Sequence, residues 1–195
     1  MDKTAVAHWA PEIGGQFWWN GVFFVLIFVP FMLFMGKKLS SKQRDMVLYG
    51  MGIYQLGNKA LTQIGYIFSD NYIMASNLPL HLCGLSGILA GIVVFYRKQM
   101  LFEFLYFFGL VGFIHSVLTP EFTGGVSSWK IFDYYVGHSM LIIIPVWLMK
   151  YYDFRLRHNA WWTSFIYLQL IVVLVSQANS IIGNGANYML SLIHI

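Results

Sequence analysis

Cysteine is almost missing from this chain: Cys83 stands alone among 195 residues. That excludes an internal disulfide and leaves either a small packing residue or a reactive thiol. Charge is scarce too. Only 10% of residues are Asp, Glu, Lys or Arg, against 58% hydrophobic and 18% aromatic, a balance that excludes a soluble domain with a solvated surface. Repeats, linkers and low-complexity tracts are lacking. The short alternation of apolar and polar residues that marks the strands of a membrane barrel is lacking as well.

What is there instead is a set of long apolar runs. Six of them can each supply the roughly 20 helical residues that cross a hydrocarbon core of about 30 Å. They lie near Phe17 to Gly36, Met46 to Phe68, Leu78 to Tyr96, Leu101 to Leu118, Ile131 to Lys150 and Trp161 to Ile182. The expected fold is an all-α, multi-pass transmembrane bundle forming one domain over residues 1–189. Trp9, Trp18, Trp19, Trp129, Trp161 and Trp162 sit near span ends, as interfacial anchors do. Residues 190–195, LSLIHI, match the translation of a common sequencing adaptor, so this tail is expected to be non-native and a seventh span to be missing. His194 is therefore left out of every site argument.

The connections carry lopsided charge. Lys37, Lys38, Lys42, Arg44, Arg97, Lys98, Lys150, Arg155 and Arg157 fall in alternate loops, and the other side has only Lys3 and Lys130. The positive-inside rule then places the N-terminus outside and Cys83 near the outer surface of a cell membrane. The net charge of +4 has this topogenic origin, so membrane lipids rather than nucleic acid are the expected partners.

Helical spacing shows which faces carry chemistry. In the second span Gln55, Asn58, Lys59, Thr62 and Tyr66 form one stripe, and an intramembrane ammonium belongs on the bundle interior rather than in lipid. In the third span Pro79 suits the first helical turn. Cys83 shares a face there with Gly84, Gly87 and Gly91, small residues that admit a neighbouring helix. The fourth span aligns Gly112, His115, Ser116 and Thr119. In the fifth, Tyr134 lies one turn before His138, and Asp133 is poorly aligned with it. The sixth adds Gln169, Ser176 and Ser180, with Gln177 at the stripe's edge. An outward-opening cavity lined by amides, hydroxyls, imidazoles and one thiol is the expectation, with Asn58, Lys59, Thr119, Tyr134 and Gln177 as substrate-binding candidates.

These motifs carry a resemblance. LPLHLC at 78–83, FGL at 108–110, LTPE at 118–121, the Tyr135-x-x-His138 segment and GANY at 185–188 resemble the YwaF-type bacterial integral membrane proteins, which are similar to the eukaryotic transmembrane protein 164. The resemblance implies about seven spans and a phospholipid acyltransferase or lipid hydrolase that uses a cysteine as acyl carrier. Cys83 would then be the nucleophile, His138 the preferred base and His115 the second choice, with no cofactor. Two other classes stay open on the residues alone. One is a transporter or ligand-binding bundle built around Lys59 and the histidines. The other is a zinc hydrolase using His81, His115, His138 and Glu121 or Asp133, although the local spacing of a zinc motif is missing.

Overall fold

A computed structural model of the chain describes residues 8–68, 72–123, 126–183 and 185–190. It is helical almost throughout, as the apolar runs require. Helix α1 spans Gln16–Lys38 and α2 spans Ser41–Ile67. The two are joined by a tight turn in which Ser40 and Gln43 form a reciprocal capping box at the start of α2. Arg44 donates to the Gly36 and Lys37 carbonyls, satisfying the open C-terminal end of α1. A short turn of helix, α3 (Met74–Asn77), precedes α4 (Leu82–Phe95). The rod that follows is α5 (Gln99–Phe104), a π-helical turn over Leu105–Gly109, and α6 (Leu110–Leu118). Helices α7 (Ser128–Tyr151) and α8 (Ala160–Ile182) complete the bundle.

Two-residue strands, β1 (His8–Trp9) and β2 (Phe122–Thr123), pair antiparallel at the end opposite the basic loops. They fasten the segment before α1 to the α6–α7 connection.

Among the described residues four helices are long and apolar enough to cross a membrane: Gln16–Lys38, the rod Gln99–Leu118, Ser128–Tyr151 and Ala160–Ile182. The other two expected spans differ in kind. Helix α2 has 27 residues but carries the polar stripe. Helix α4 is strongly apolar, yet its 14 residues extend only about 21 Å at 1.5 Å per residue. It starts at Leu82, four residues later than the apolar run suggested, so Pro79 lies in the preceding loop and not in the first helical turn. The loop's fold explains this: the Pro79 carbonyl oxygen lies only 2.8 Å from where a Cβ on Gly84 would be, so residues 78–81 turn back over the helix start.

Helix α7 is central and packs against α1, α2, α4, α6 and the π turn. Its partner surface is the main core, with Leu48, Met51, Ala90, Val93, Val94, Phe102, Leu105, Ile143, Ile144, Trp147 and Leu148 all buried. Helices α2 and α4 meet along the expected glycine seam, where a Cβ on Gly52 would press on Val94 and one on Gly91 would overlap Leu56. At the basic end Glu103, 1% exposed, accepts a forked pair of bonds from the Arg157 guanidinium and one from Gln99. This carboxylate inside an apolar run escaped the sequence reading, which placed its partner in a loop.

The stripe of α8 does not join the others. Gln169, Gln177 and Ser180 are exposed, because α8 packs on α5 and on residues 74–77 and 188–190 through its buried residues Ala160, Ser164, Val175 and Asn179. Residues 191–195, including His194, lie outside the described residues.

Candidate functional site

Four helices bring the candidate groups together. Cys83 sits in the first turn of α4, half-buried, with its thiol against Gly112 of α6. The Sγ lies 3.9 Å from the Gly112 carbonyl and 3.3 Å from where a Gly112 Cβ would be. The small-residue face is thus divided: Gly87 and Gly91 meet α2, while Cys83 meets α6. A Cβ at Gly112 would press tightly on the sulfur, so the glycine eases the approach of Cys83 to α6.

Lys59 approaches from α2. Its Cε lies 3.1 Å from the place of a Cβ on Gly87, so the alkyl stem crosses α4 at the glycine and faces protein rather than lipid. The ammonium is within electrostatic reach of both Cys83 and His138. Among the described residues no carboxylate forms an ion pair with it.

His138 is held by its own helix. Its Nδ1 is 2.7 Å from the Tyr134 carbonyl, which can only accept, so Nδ1 bears the proton and Nε2 is left with a free lone pair. The imidazole packs against the Tyr134 ring at 4.3 Å between centroids, the two planes tilted by 41°. Tyr134 in turn donates to the Ser116 carbonyl at 3.2 Å and accepts from the Glu121 N–H at 3.4 Å, tying the end of α6 to α7. Its hydroxyl is also within electrostatic reach of Cys83. No hydrogen bond joins the thiol and the imidazole directly among the described residues.

Asp133 finds a different use from the one its place in sequence suggested. Its carboxylate accepts from the Tyr54 hydroxyl at 2.5 Å and from the Asn58 amide, while Gln55 donates to the Gly137 carbonyl at 2.7 Å. The polar stripe of α2 thus docks onto α7, and Asn58 is held by the carboxylate one turn from His138. Tyr54, which the stripe omitted, is the missing member; a tyrosine in an apolar run gives no signal until its partner helix is known.

His115 and Thr119 lie at the exposed rim of the same end. Thr119 donates to the His115 carbonyl at 3.0 Å, with its hydroxyl 3.4 Å from His115 Nε2. The expected shared face therefore splits, with Gly112 and Ser116 buried against α7 and His115 and Thr119 outside. His115 remains within electrostatic reach of His138. His81 caps the start of α4 and packs edge-on against Tyr188 at 4.9 Å, pointing away from a role with the thiol. Gln177 is not among the groups around Cys83. Among the described residues no three histidine, cysteine or carboxylate side chains are placed to hold a metal ion.

The profile of the TMEM164 family matches residues 12–192. The chain belongs to the TMEM164 family. No curated protein and no solved structure matches it. The match covers every helix of this TMEM164-family protein, from α1 to α8, and with it Cys83, Lys59, His138 and their supporting contacts. It is an integral membrane protein, and its long apolar helices are suited to contact with lipid.

Proposed function

We propose that this TMEM164-family protein, of the YwaF-type bacterial branch and resident in the cell membrane, transfers or hydrolyses lipid acyl chains through a thioester on Cys83. The observation that carries the reading is the placement of Lys59, whose ammonium forms no ion pair with a carboxylate among the described residues, within electrostatic reach of the chain's one thiol and of the half-buried His138. A positive charge at that point favours a thiolate and the oxyanion that its attack would generate.

In the proposed reaction His138 Nε2 takes the thiol proton, directly or across one water. The thiolate attacks an acyl ester carbon, and the tetrahedral intermediate collapses as the lipid oxygen leaves with the proton held on Nε2. A lysolipid hydroxyl or water then gives its proton to Nε2, attacks the thioester and restores the thiol. Water yields hydrolysis and a hydroxyl yields transfer.

The second reading, a ligand-binding or transport bundle, draws on the Tyr54–Asn58–Asp133 network, because intramembrane carboxylates also serve proton and ion paths. One experiment divides the two. Full-length protein in membranes is incubated with an alkynyl-acyl phospholipid, and hydroxylamine-labile label on the protein is measured. The expected result is a thioester label that is absent from Cys83→Ala; equal labelling of that variant overturns the proposal.

A further inference from the structure

A line of aromatic rings runs from the segment before α1 to the imidazole of the candidate site. Trp9 of β1 packs on Phe17 at 4.9 Å between centroids and on Phe122 of β2 at 5.6 Å, and Phe17 meets Phe122 edge-on at 5.9 Å. Phe122 is 4% exposed and packs on Tyr134 at 4.6 Å. Tyr134 in turn packs on His138 at 4.3 Å. Backbone fastens the outer members of the line, since Trp9 and Phe122 are paired across the two strands. A hydrogen bond from Trp18 Nε1 to the Leu118 carbonyl at 2.9 Å ties the start of α1 to the end of α6 beside them.

The last ring in the line needs this support. One hydrogen bond fixes one atom of an imidazole and not its plane, so with Nδ1 tied to the Tyr134 carbonyl the ring can still rock and carry Nε2 with it. Contact with a neighbouring ring is what stops the rocking, and Tyr134 supplies that contact. The Tyr134 hydroxyl is held at its tip by the Ser116 carbonyl and the Glu121 N–H, and the ring itself is braced by Phe122. The precision matters because a proton passes only within hydrogen-bond reach or across one water, and a misplacement of about 1 Å can cost about a hundredfold in rate.

We propose that Phe122 is a positioning residue for the Cys83 reaction: backed by Trp9 and Phe17, it holds Tyr134 so that the His138 imidazole keeps one plane. The segment before α1 thus acts on the site through two intervening rings. The consequence for catalysis rests on the thioester reading, whereas the hold on the imidazole stands on the ring geometry alone.

The test reads the ring and the reaction separately, in full-length protein in nanodiscs. Solid-state NMR with isotope-labelled histidine, His138 being assigned from its loss in His138→Gln, measures the order of the His138 ring. Alkynyl-acyl labelling measures the rate of thioester formation. In Phe122→Leu, which keeps an apolar side chain and removes the flat ring, the order of the His138 ring falls and labelling slows about tenfold, a part of the penalty for full misplacement. In a His138→Gln background the same change slows the residual labelling no further, as expected of two residues that act on one step. Unchanged ring order in Phe122→Leu overturns the proposal, and so does equal slowing with and without His138, which is the mark of packing alone. Phe122→Met takes the place of Phe122→Leu if that variant does not fold. If the wild type forms no thioester, the Cys83 reading fails, and ring order still decides whether Phe122 holds the imidazole.

Discussion

At the scale of the residue, glycines set how closely the candidate side chains pack on neighbouring helices. A Cβ on Gly112 would lie 3.3 Å from the Cys83 sulfur, and one on Gly87 3.1 Å from Cε of Lys59. His138 is oriented by a carbonyl of its own helix, which fixes the proton on Nδ1 and leaves Nε2 available. His138→Gln is therefore expected to keep the fold and to slow formation of the Cys83 thioester about a hundredfold or more, the usual worth of a positioned general base. Rates of alkynyl-acyl labelling measure it, and an unchanged rate removes His138 from the reaction. Cys83 and His138 stood out in the sequence as candidates because a single thiol and an intramembrane imidazole are rare. Tyr134 was legible only as a neighbour of His138, since its hydrogen bonds run to backbone groups of α6 and of the connection that follows it.

At the scale of the element, the glycines of α2 and α4 separate into those that admit a neighbour and those that do not. A Cβ on Gly91 would overlap Leu56, whereas one on Gly50 would meet nothing within 4 Å. Gly91→Ala should destabilise the protein by about 1–3 kcal/mol through overpacking. Gly50→Ala should leave it unchanged or stabilise it by up to about 1 kcal/mol through helix propensity. Unfolding in detergent compares them, and equal effects would remove the close α2–α4 approach as the cause. The start of α4 is a second element-scale matter. Hydropathy extends the apolar run back to Leu78, yet helix begins at Leu82 because the Pro79 backbone folds over Gly84.

At the scale of the whole molecule, each end of the bundle is closed by its own fastening. At the basic end Asp45 of α2 accepts from Tyr152 after α7 at 2.7 Å and pairs with Arg97 after α4 at 3.3 Å. The Tyr152 hydrogen bond first, and the Arg97 guanidinium with it, hold the Asp45 carboxyl below its ordinary value of 3.8. A carboxyl lowered in the folded state adds stability above its unfolded pKa and loses that contribution as pH falls through the folded one. Stability in detergent should accordingly decline with acidification below the ordinary carboxylate range, and less steeply in Asp45→Asn; parallel curves would exclude the group. At the opposite end Tyr188 is fully buried, donating to the Met74 carbonyl at 2.6 Å and accepting from the Leu78 N–H at 2.9 Å. Asn179 of α8 holds the Tyr188 backbone through both its amide and its carbonyl. This latch secures the loop that leads into Cys83. Tyr188→Phe should speed hydrogen exchange across residues 74–81 and leave the basic end unaffected; unchanged exchange there would show that the ring alone holds the loop.

Composition and periodicity by themselves determined that this is a helical membrane protein, where its long apolar helices run, and which few polar residues lie within them. Lipid as solvent forbids unpaired backbone and penalises exposed charge, so both facts are written into local sequence. Tertiary structure decided which polar groups meet. It joined Asp133 to Tyr54 and Asn58 rather than to His138, left the polar stripe of α8 exposed, and buried Glu103 under Arg157. Those pairings depend on helix rotation and on the π turn at Leu105–Gly109. Helix rotation is set by side-chain packing between segments far apart in the chain, which the periodicity of one helix does not contain.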